Sequence, residues 1–238
     1  MLAGQRGLVV GGSTGIGAAI AEAWARNGMD VLVLSRTKPV NDLRWAAIDL
    51  ADPAPATALD DLGPLDAVAF AAVYYGDKRA TFAETPLAQW RHQVEVNLTG
   101  LWRTLQATLP ALRAGNGLFV NVSSEVVFNG GPGRSGYAAT KAAGASLVDS
   151  VRQEEDGVRF VSVLPAGMVD SPGIRKRRPS DFDYSGYMRP ETFGPLAVEL
   201  AETKGKAHNG DSLIVNPDGS WESVRRGVPV SQSDRSRL

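Results

Sequence analysis

An α/β fold, a doubly wound parallel sheet with helices on both faces, is predicted by three observations on the 238-residue chain. Short apolar runs alternate with longer helix-favouring segments, the pattern of parallel strands joined by right-handed crossovers. The run at 67–73 is apolar at every position, as a strand covered on both faces must be. The first apolar run passes at once into a glycine-rich turn and then an alanine-rich stretch, an arrangement that aims backbone N–H groups at a phosphate. About seven strands in a single domain suit this length, and no repeat or low-complexity tract divides the chain.

Taken in order, residues 7–10 (Gly7-Leu8-Val9-Val10) are the first strand, and Gly11-Gly12-Ser13-Thr14-Gly15-Ile16-Gly17 the turn after it. A helix is expected over 18–27, closed by Gly28. Strand, glycine turn and helix together make a Rossmann-type dinucleotide unit. The second strand, 31–34, ends in Ser35-Arg36-Thr37-Lys38, where such a unit meets the adenosine ribose. No carboxylate stands there to accept from a 2′-hydroxyl. Arg36 instead offers a planar donor fork, flanked by the hydroxyls of Ser35 and Thr37, so NADP(H) is favoured over NAD(H).

A third strand, 45–48, ends at Asp49-Leu50, placed to touch the adenine, and Asp52-Pro53 opens a short helix. The fourth strand, 67–73, holds Ala71 and Ala72 near its carboxyl end. A helix over 85–114 follows, with Pro110 expected to break or kink its end and Asn97 in its interior. The fifth strand is 118–122, with Ser124 just past it. A long helix runs from 135 to about 155, and the sixth strand is 158–164. Residues 166–190 are rich in turn-formers and carry Arg175-Lys176-Arg177-Arg178, which predicts a lid over a site. A last helix (191–203), a last strand (211–215) and a flexible tail from about 222 to 238 complete the reading.

Bulk properties exclude several classes. Net charge is −1, so no field draws the molecule to nucleic acid or to an anionic membrane. Cysteine is absent, which removes disulfides, thiolate metal sites and a cysteine nucleophile. Two distant histidines, His92 and His208, make a metal centre unexpected. No signal peptide or membrane span is legible, and the absence of cysteine fits a cytoplasmic protein.

The chemistry concentrates in 124–141. Tyr137 and Lys141 are four apart, one helix face if Tyr137 opens a helix. A free phenol titrates near about 10, and a nearby ammonium lowers that value. Ser124, at the end of a strand, can hydrogen-bond the same reacting oxygen.

With these motifs in place the chain resembles the short-chain dehydrogenase/reductase family over nearly its whole length. Val10-Gly11-Gly12-Ser13-Thr14-Gly15-Ile16-Gly17 matches its glycine motif with valine for the leading threonine. Tyr137 and Lys141 match its Tyr-x-x-x-Lys, Ser124 the serine thirteen residues before the tyrosine, and Asn97 its Asn-x-x-Gly asparagine. Two departures stand out. Phe70-Ala71-Ala72-Val73 replaces Asn-Asn-Ala-Gly, and Pro165-Ala166-Gly167 replaces Pro-Gly.

The resemblance implies hydride transfer between a nicotinamide and a carbonyl or secondary alcohol. Tyr137 would be the proton donor or acceptor. Lys141 would hold the nicotinamide ribose and tune the phenol, Ser124 would orient the carbonyl, and Asn97 would hold a water beside Lys141. Pro165 and Gly167 would flank the nicotinamide. A homo-oligomer, tetramer or dimer, is implied as well, with Ala138, Ala139, Ala142, Ala143 and Gly144 facing either a second copy or this chain's own sheet. Tyr74, Tyr75, Val127, Phe128, Met168, Tyr184, Tyr187 and Met188 are candidate pocket residues and favour an apolar or aromatic substrate. A catalytically idle dinucleotide-binding sensor and an epimerase or dehydratase on the same fold are the alternatives.

Overall fold

The structure, a computed structural model, describes residues 1–52 and 57–224. Its strands are β1 (Arg6–Val10), β2 (Asp30–Ser35), β3 (Arg44–Ala47), β4 (Ala67–Phe70), β5 (Leu118–Val122), β6 (Arg159–Pro165), β7 (Ser212–Val215) and β8 (Trp221–Ser223). They form one sheet in the order β3-β2-β1-β4-β5-β6-β7-β8, parallel except for β8, which runs antiparallel to β7. The chain leaves β1 toward β2 and β3, then crosses back to β4 on the other side. That reversal opens a crevice beyond the carboxyl ends of β1 and β4, where open parallel sheets bind ligands.

The helices are α1 (Gly15–Arg26), α2 (Leu87–Val94), α3 (Gly100–Gly115), α4 (Val126–Asn129), α5 (Ser135–Glu154), α6 (Pro172–Arg175) and α7 (Gly194–Thr203). They cover both sheet faces. On one, Trp24, Phe193, Leu196 and Leu200 pack against Val9, Val120 and Val161. On the other, Leu101, Leu105, Leu112 and Val148 pack against Leu8, Phe119 and Phe160. Trp24 also donates from its indole to the Ala197 carbonyl at 2.8 Å, tying α1 to α7. Among the described residues, no helix is long and apolar enough to cross a membrane.

Several boundaries differ from the sequence reading. β4 stops at Phe70, because its neighbour β1 ends at Val10 and Gly11 turns away at φ +83°. Ala71 still donates to the Val10 carbonyl at 2.8 Å, and the chain then leaves the sheet. The helix expected over 85–114 is α2, one wide π turn (Glu95–Thr99) and α3. Pro110 does not end it. The carbonyl that its missing N–H strands belongs to exposed Gln106, so water can satisfy it and the helix runs on to Gly115.

An eighth strand was not foreseen. Glu222 and Ser223, assigned to the flexible tail, pair with Ile214 and Leu213. Residues 225–238 of that tail, and the helix start at Pro53, lie outside the described residues. Close by, a single 3-10 turn covers Thr57–Leu59.

The segment 166–190 is pinned at its base. Val169 bridges Met188, with Met188 N donating to Met168 O at 2.8 Å and Asp170 N to Met188 O at 2.9 Å. On α5, Gly144 faces this chain's own α3, where an added Cβ would lie 3.1 Å from Leu101. Ala139 and Ala143 are exposed instead.

Candidate active site

Two adjoining cavities open at the switch point. The larger has room of about 510 Å³ and follows the carboxyl ends of β1, β2, β3, β4 and β5. Gly11, Ser13, Thr14, Gly15, Ile16 and Gly17 form its floor, and Ser35, Arg36 and Thr37 one end. Asp49, Leu50, Ala71 and Ala72 form a side, and Tyr137 and Lys141 the other end. Every predicted cofactor contact is therefore on its wall except two. Gly167 lines the smaller cavity, and Pro165 lines neither, because β6 extends through it to pair with Val215.

The floor explains why glycine is needed. Gly15 sits at φ +59°, a left-handed conformation that a side chain would strain. A Cβ on Gly11 would be 2.4 Å from the Ala72 nitrogen, and one on Gly17 would be 2.4 Å from the Gly11 carbonyl oxygen. These contacts hold the turn against β4 and the first turn of α1 against the turn. The α1 N-terminus then opens onto the floor with no acidic side chain in its first turn. The backbones of Gly11 and Ala72 approach closely here, within the stretch that stands in place of Asn-Asn-Ala-Gly. An elongated cleft with a glycine floor, an N-terminal helix end, and a cation and hydroxyls at one end fits a dinucleotide phosphate chain and ribose.

At the ribose end, Arg36 is exposed, and no carboxylate among the described residues pairs with it. Thr37 Oγ1 donates to Ser13 Oγ at 3.4 Å, linking the two loops. Ser35 is less available than its type implies. Its hydroxyl donates to Thr37 O at 2.8 Å and accepts from the Trp45 indole at 3.1 Å.

At the other end α5 places Tyr137 and Lys141 on its buried face. Lys141 Nζ donates to the Val122 carbonyl at 2.7 Å. Burial pushes its pKa down to about 8. The Tyr137 phenol is pushed well up, chiefly by burial, then by neighbouring Tyr75, with the Ser124 hydroxyl opposing. The tuning expected from Lys141 is outweighed here: desolvating a phenolate dominates, and the ammonium is aimed at a carbonyl.

Lys141 gives a prediction on stability. Its pKa is lowered on folding, so between about pH 8 and the ordinary 10.5 the unfolded chain binds more protons. Stability from this group therefore rises with pH across that window, and the burial penalty is fully present below about 8. Phenols raised on folding act oppositely above pH 10, so the test belongs between about 8 and 10. Urea midpoints of the parent should climb relative to Lys141→Met over that interval; parallel pH profiles would refute a buried, depressed lysine.

Ser124 and its neighbours form a network that sequence reasoning missed. Ser124 Oγ donates to Glu125 Oε2 at 2.7 Å, and Arg134 NH1 donates to Glu125 Oε1 at 2.9 Å. The hydroxyl's single proton is thus directed at a carboxylate held by an arginine. The acidic residue directly after Ser124 was the available signal, but only the short α4 turn shows that it folds back.

Asn97 is held by three hydrogen bonds to protein groups. Its Oδ1 accepts from Tyr74 N at 2.7 Å, and its Nδ2 donates to Tyr74 O at 3.0 Å and to Thr140 Oγ1 at 3.1 Å. Both amide hydrogens are engaged, so the side chain clamps the loop after β4 to α5. The wide turn at Glu95–Thr99 is what carries this amide to the loop.

The smaller cavity, with room of about 90 Å³, shares Tyr137 and Tyr75 with the larger. Of the candidate pocket residues only Tyr75 and Met168 line it, while Tyr74 faces the larger cleft. Tyr184 and Tyr187 instead pack with Phe182, and Met188 is buried in the core. Phe128 is largely exposed. Gln89, Gln93, Glu125, Arg134 and Arg177 take the places expected of apolar groups, so the walls are mixed rather than apolar.

A cleft for a dinucleotide joined to a small pocket by a buried tyrosine and lysine defines a nicotinamide-dependent oxidoreductase site. The short chain dehydrogenase family model matches residues 6–181, and the chain belongs to that family. It is 27% identical over 248 residues to 2,5-dichloro-2,5-cyclohexadiene-1,4-diol dehydrogenase of Sphingobium indicum, covering 92% of this chain and 97% of that protein. It is 29% identical over 265 residues to an uncharacterized NAD-dependent oxidoreductase of Mycobacterium tuberculosis, covering 90% and 95%. A crystal structure of 3-oxoacyl (acyl-carrier-protein) reductase from Agrobacterium tumefaciens with NADP bound superimposes with a TM-score of 0.78 at 27% identity, covering 91% and 94%.

Proposed function

We propose that the protein is an NADP(H)-dependent oxidoreductase acting on the carbonyl or secondary alcohol of a small substrate. The observation that carries this is Tyr137, which with Tyr75 lines both the long cleft and the small pocket and which has Ser124 on the pocket wall and Lys141 on the cleft wall beside it. A nicotinamide bound in the cleft would supply or accept the hydride. Tyr137 gives its proton to the nascent alkoxide in reduction, and its raised pKa keeps it protonated for that step. Lys141 closes the far end of the cleft, where its cation holds ribose hydroxyls. Ser124 turns its hydroxyl from Glu125 toward the substrate oxygen and orients it. Asn97 is a positioning residue, fixing Tyr74 and so the cleft wall.

Arg36 with Ser13 and Thr37 supports NADP(H), since a guanidinium fork and hydroxyls suit a 2′-phosphate. The relatives are divided on this point, one described as NAD-dependent and one structure holding NADP. Segment 166–190 acts as the substrate lid, hinged on the Val169–Met188 bridge. A cytoplasmic homo-oligomer is the expected form, joined through the face that exposes Ala139, Ala143 and Trp102.

The test is oxidation of NADPH, and separately of NADH, with a panel of small ketones and aldehydes, run beside Tyr137→Phe. Tyr137-dependent turnover supports the reading. Cofactor binding with no turnover of any carbonyl would favour an idle dinucleotide-binding protein.

A further inference from the structure

We propose that the substrate carries a carboxylate, as a short oxo acid or its hydroxy acid, and that Arg177 receives that group. The inference rests on the oxidoreductase reading and concerns the same pocket. It begins with the basic run of the lid, whose members the fold sends to different tasks. Arg175 makes a two-point ion pair with Asp170, both bonds 2.6 Å, and lies over the Tyr184 ring at 4.6 Å. Arg178 donates to the Tyr187 hydroxyl at 3.1 Å and lies over Phe182 at 5.2 Å. Lys176 lines the larger cleft. Arg175 and Arg178 therefore brace the lid.

Arg177 turns inward. It lines the small cavity together with Ser124 and Tyr137. Its guanidinium carbon lies 5.8 Å from the centroid of Tyr75, whose ring is 5.2 Å from that of Tyr137. Tyr75 thus spans the interval between the cation and the proton donor, and a carboxylate would sit a few bonds from the reacting carbonyl. Arg177 Nε is buried and has no hydrogen-bond partner. No carboxylate among the described residues pairs with Arg177, and its cationic neighbours are Arg178 and Arg79.

A half-buried cation among like charges is unfavourable until an anion joins it. The planar fork matches a carboxylate in two-point geometry. Glu125 is the sole acidic residue on these walls, and Arg134 holds it at 2.9 Å, so it does not compete for Arg177. Lys78, Arg134 and Arg177 leave the walls net cationic. The small volume suits a free short acid.

The experiment compares short oxo acids with their methyl esters in NADPH-linked reduction by the parent, Arg177→Ala, Arg177→Met and Arg177→Lys. Calorimetry of the matching hydroxy acids binding to each protein runs in parallel, with thermal unfolding to confirm folding. The parent should favour acid over ester by at least about tenfold, mainly through KM. Arg177→Ala and Arg177→Met should raise KM for the acid far more than for the ester and weaken hydroxy-acid binding similarly. Arg177→Lys should fall between, keeping the charge and losing the fork. Equal use of acid and ester by the parent, equal losses on both, or hydroxy-acid binding indifferent to Arg177 would each overturn the proposal. If no carbonyl is reduced in a Tyr137-dependent way, the oxidoreductase reading fails instead, and calorimetry still decides whether Arg177 binds carboxylates.

Discussion

Replacing Tyr137 by phenylalanine should lower turnover by at least about 10²-fold while leaving cofactor binding and folding near those of the parent. The size follows from what a positioned general acid contributes, about 10²–10⁴ in rate. The side chain is buried, and phenylalanine keeps the ring that packs against Tyr75 at 5.2 Å. What is lost is one ionisable hydroxyl at the junction of two cavities. The loss should appear in kcat, because the proton moves only in the transition state. Single-turnover reduction at saturating cofactor, with thermal unfolding as a control, measures it. A variant as active as the parent would remove Tyr137 from the chemistry and leave Tyr75 as the other phenol that lines both cavities.

The second large effect concerns the choice of dinucleotide. Arg36→Ala should reduce kcat/KM with NADPH by about 10- to 100-fold, the range expected for losing hydrogen bonds to a charged phosphate. NADH has no 2′-phosphate, so its kinetics should change far less. Arg36→Asp should go further and reverse the preference, because a carboxylate repels the phosphate and accepts from a ribose hydroxyl. Raising ionic strength should weaken the NADPH preference of the parent, since Arg36 is exposed and screened. Identical losses with both cofactors would assign Arg36 to solvating the turn and return the preference to an open question.

Much of this site was legible before any coordinates. The glycines of 11–17 had to be a turn, because they stand between a buried apolar run and a helix. The i, i+4 spacing of Tyr137 and Lys141 fixed a shared helix face, and α5 keeps it. The alternation of elements fixed a parallel sheet, since only crossovers can join parallel neighbours. The misses have physical causes too. Pro110 read as a break because a sequence shows the lost N–H but not that its partner carbonyl faces water. The strand at Trp221 was hidden in polar residues because an edge strand needs only one covered face.

By itself, then, the sequence determined the class of fold and the candidate trio of Ser124, Tyr137 and Lys141, because both are written in local spacing: periodicity, glycine placement and helical offsets. Only the tertiary structure decided how those groups are supported. It directed Lys141 to the Val122 carbonyl, tied Ser124 to Glu125, engaged Asn97 with Tyr74, and separated Arg177 from Arg175 and Arg178, which contact Tyr184 and Tyr187. Partners so far apart in the chain as 97 and 74, or 177 and 75, meet through packing. Burial, which sets both pKa values at the site, is a property of the assembled molecule rather than of any stretch of it.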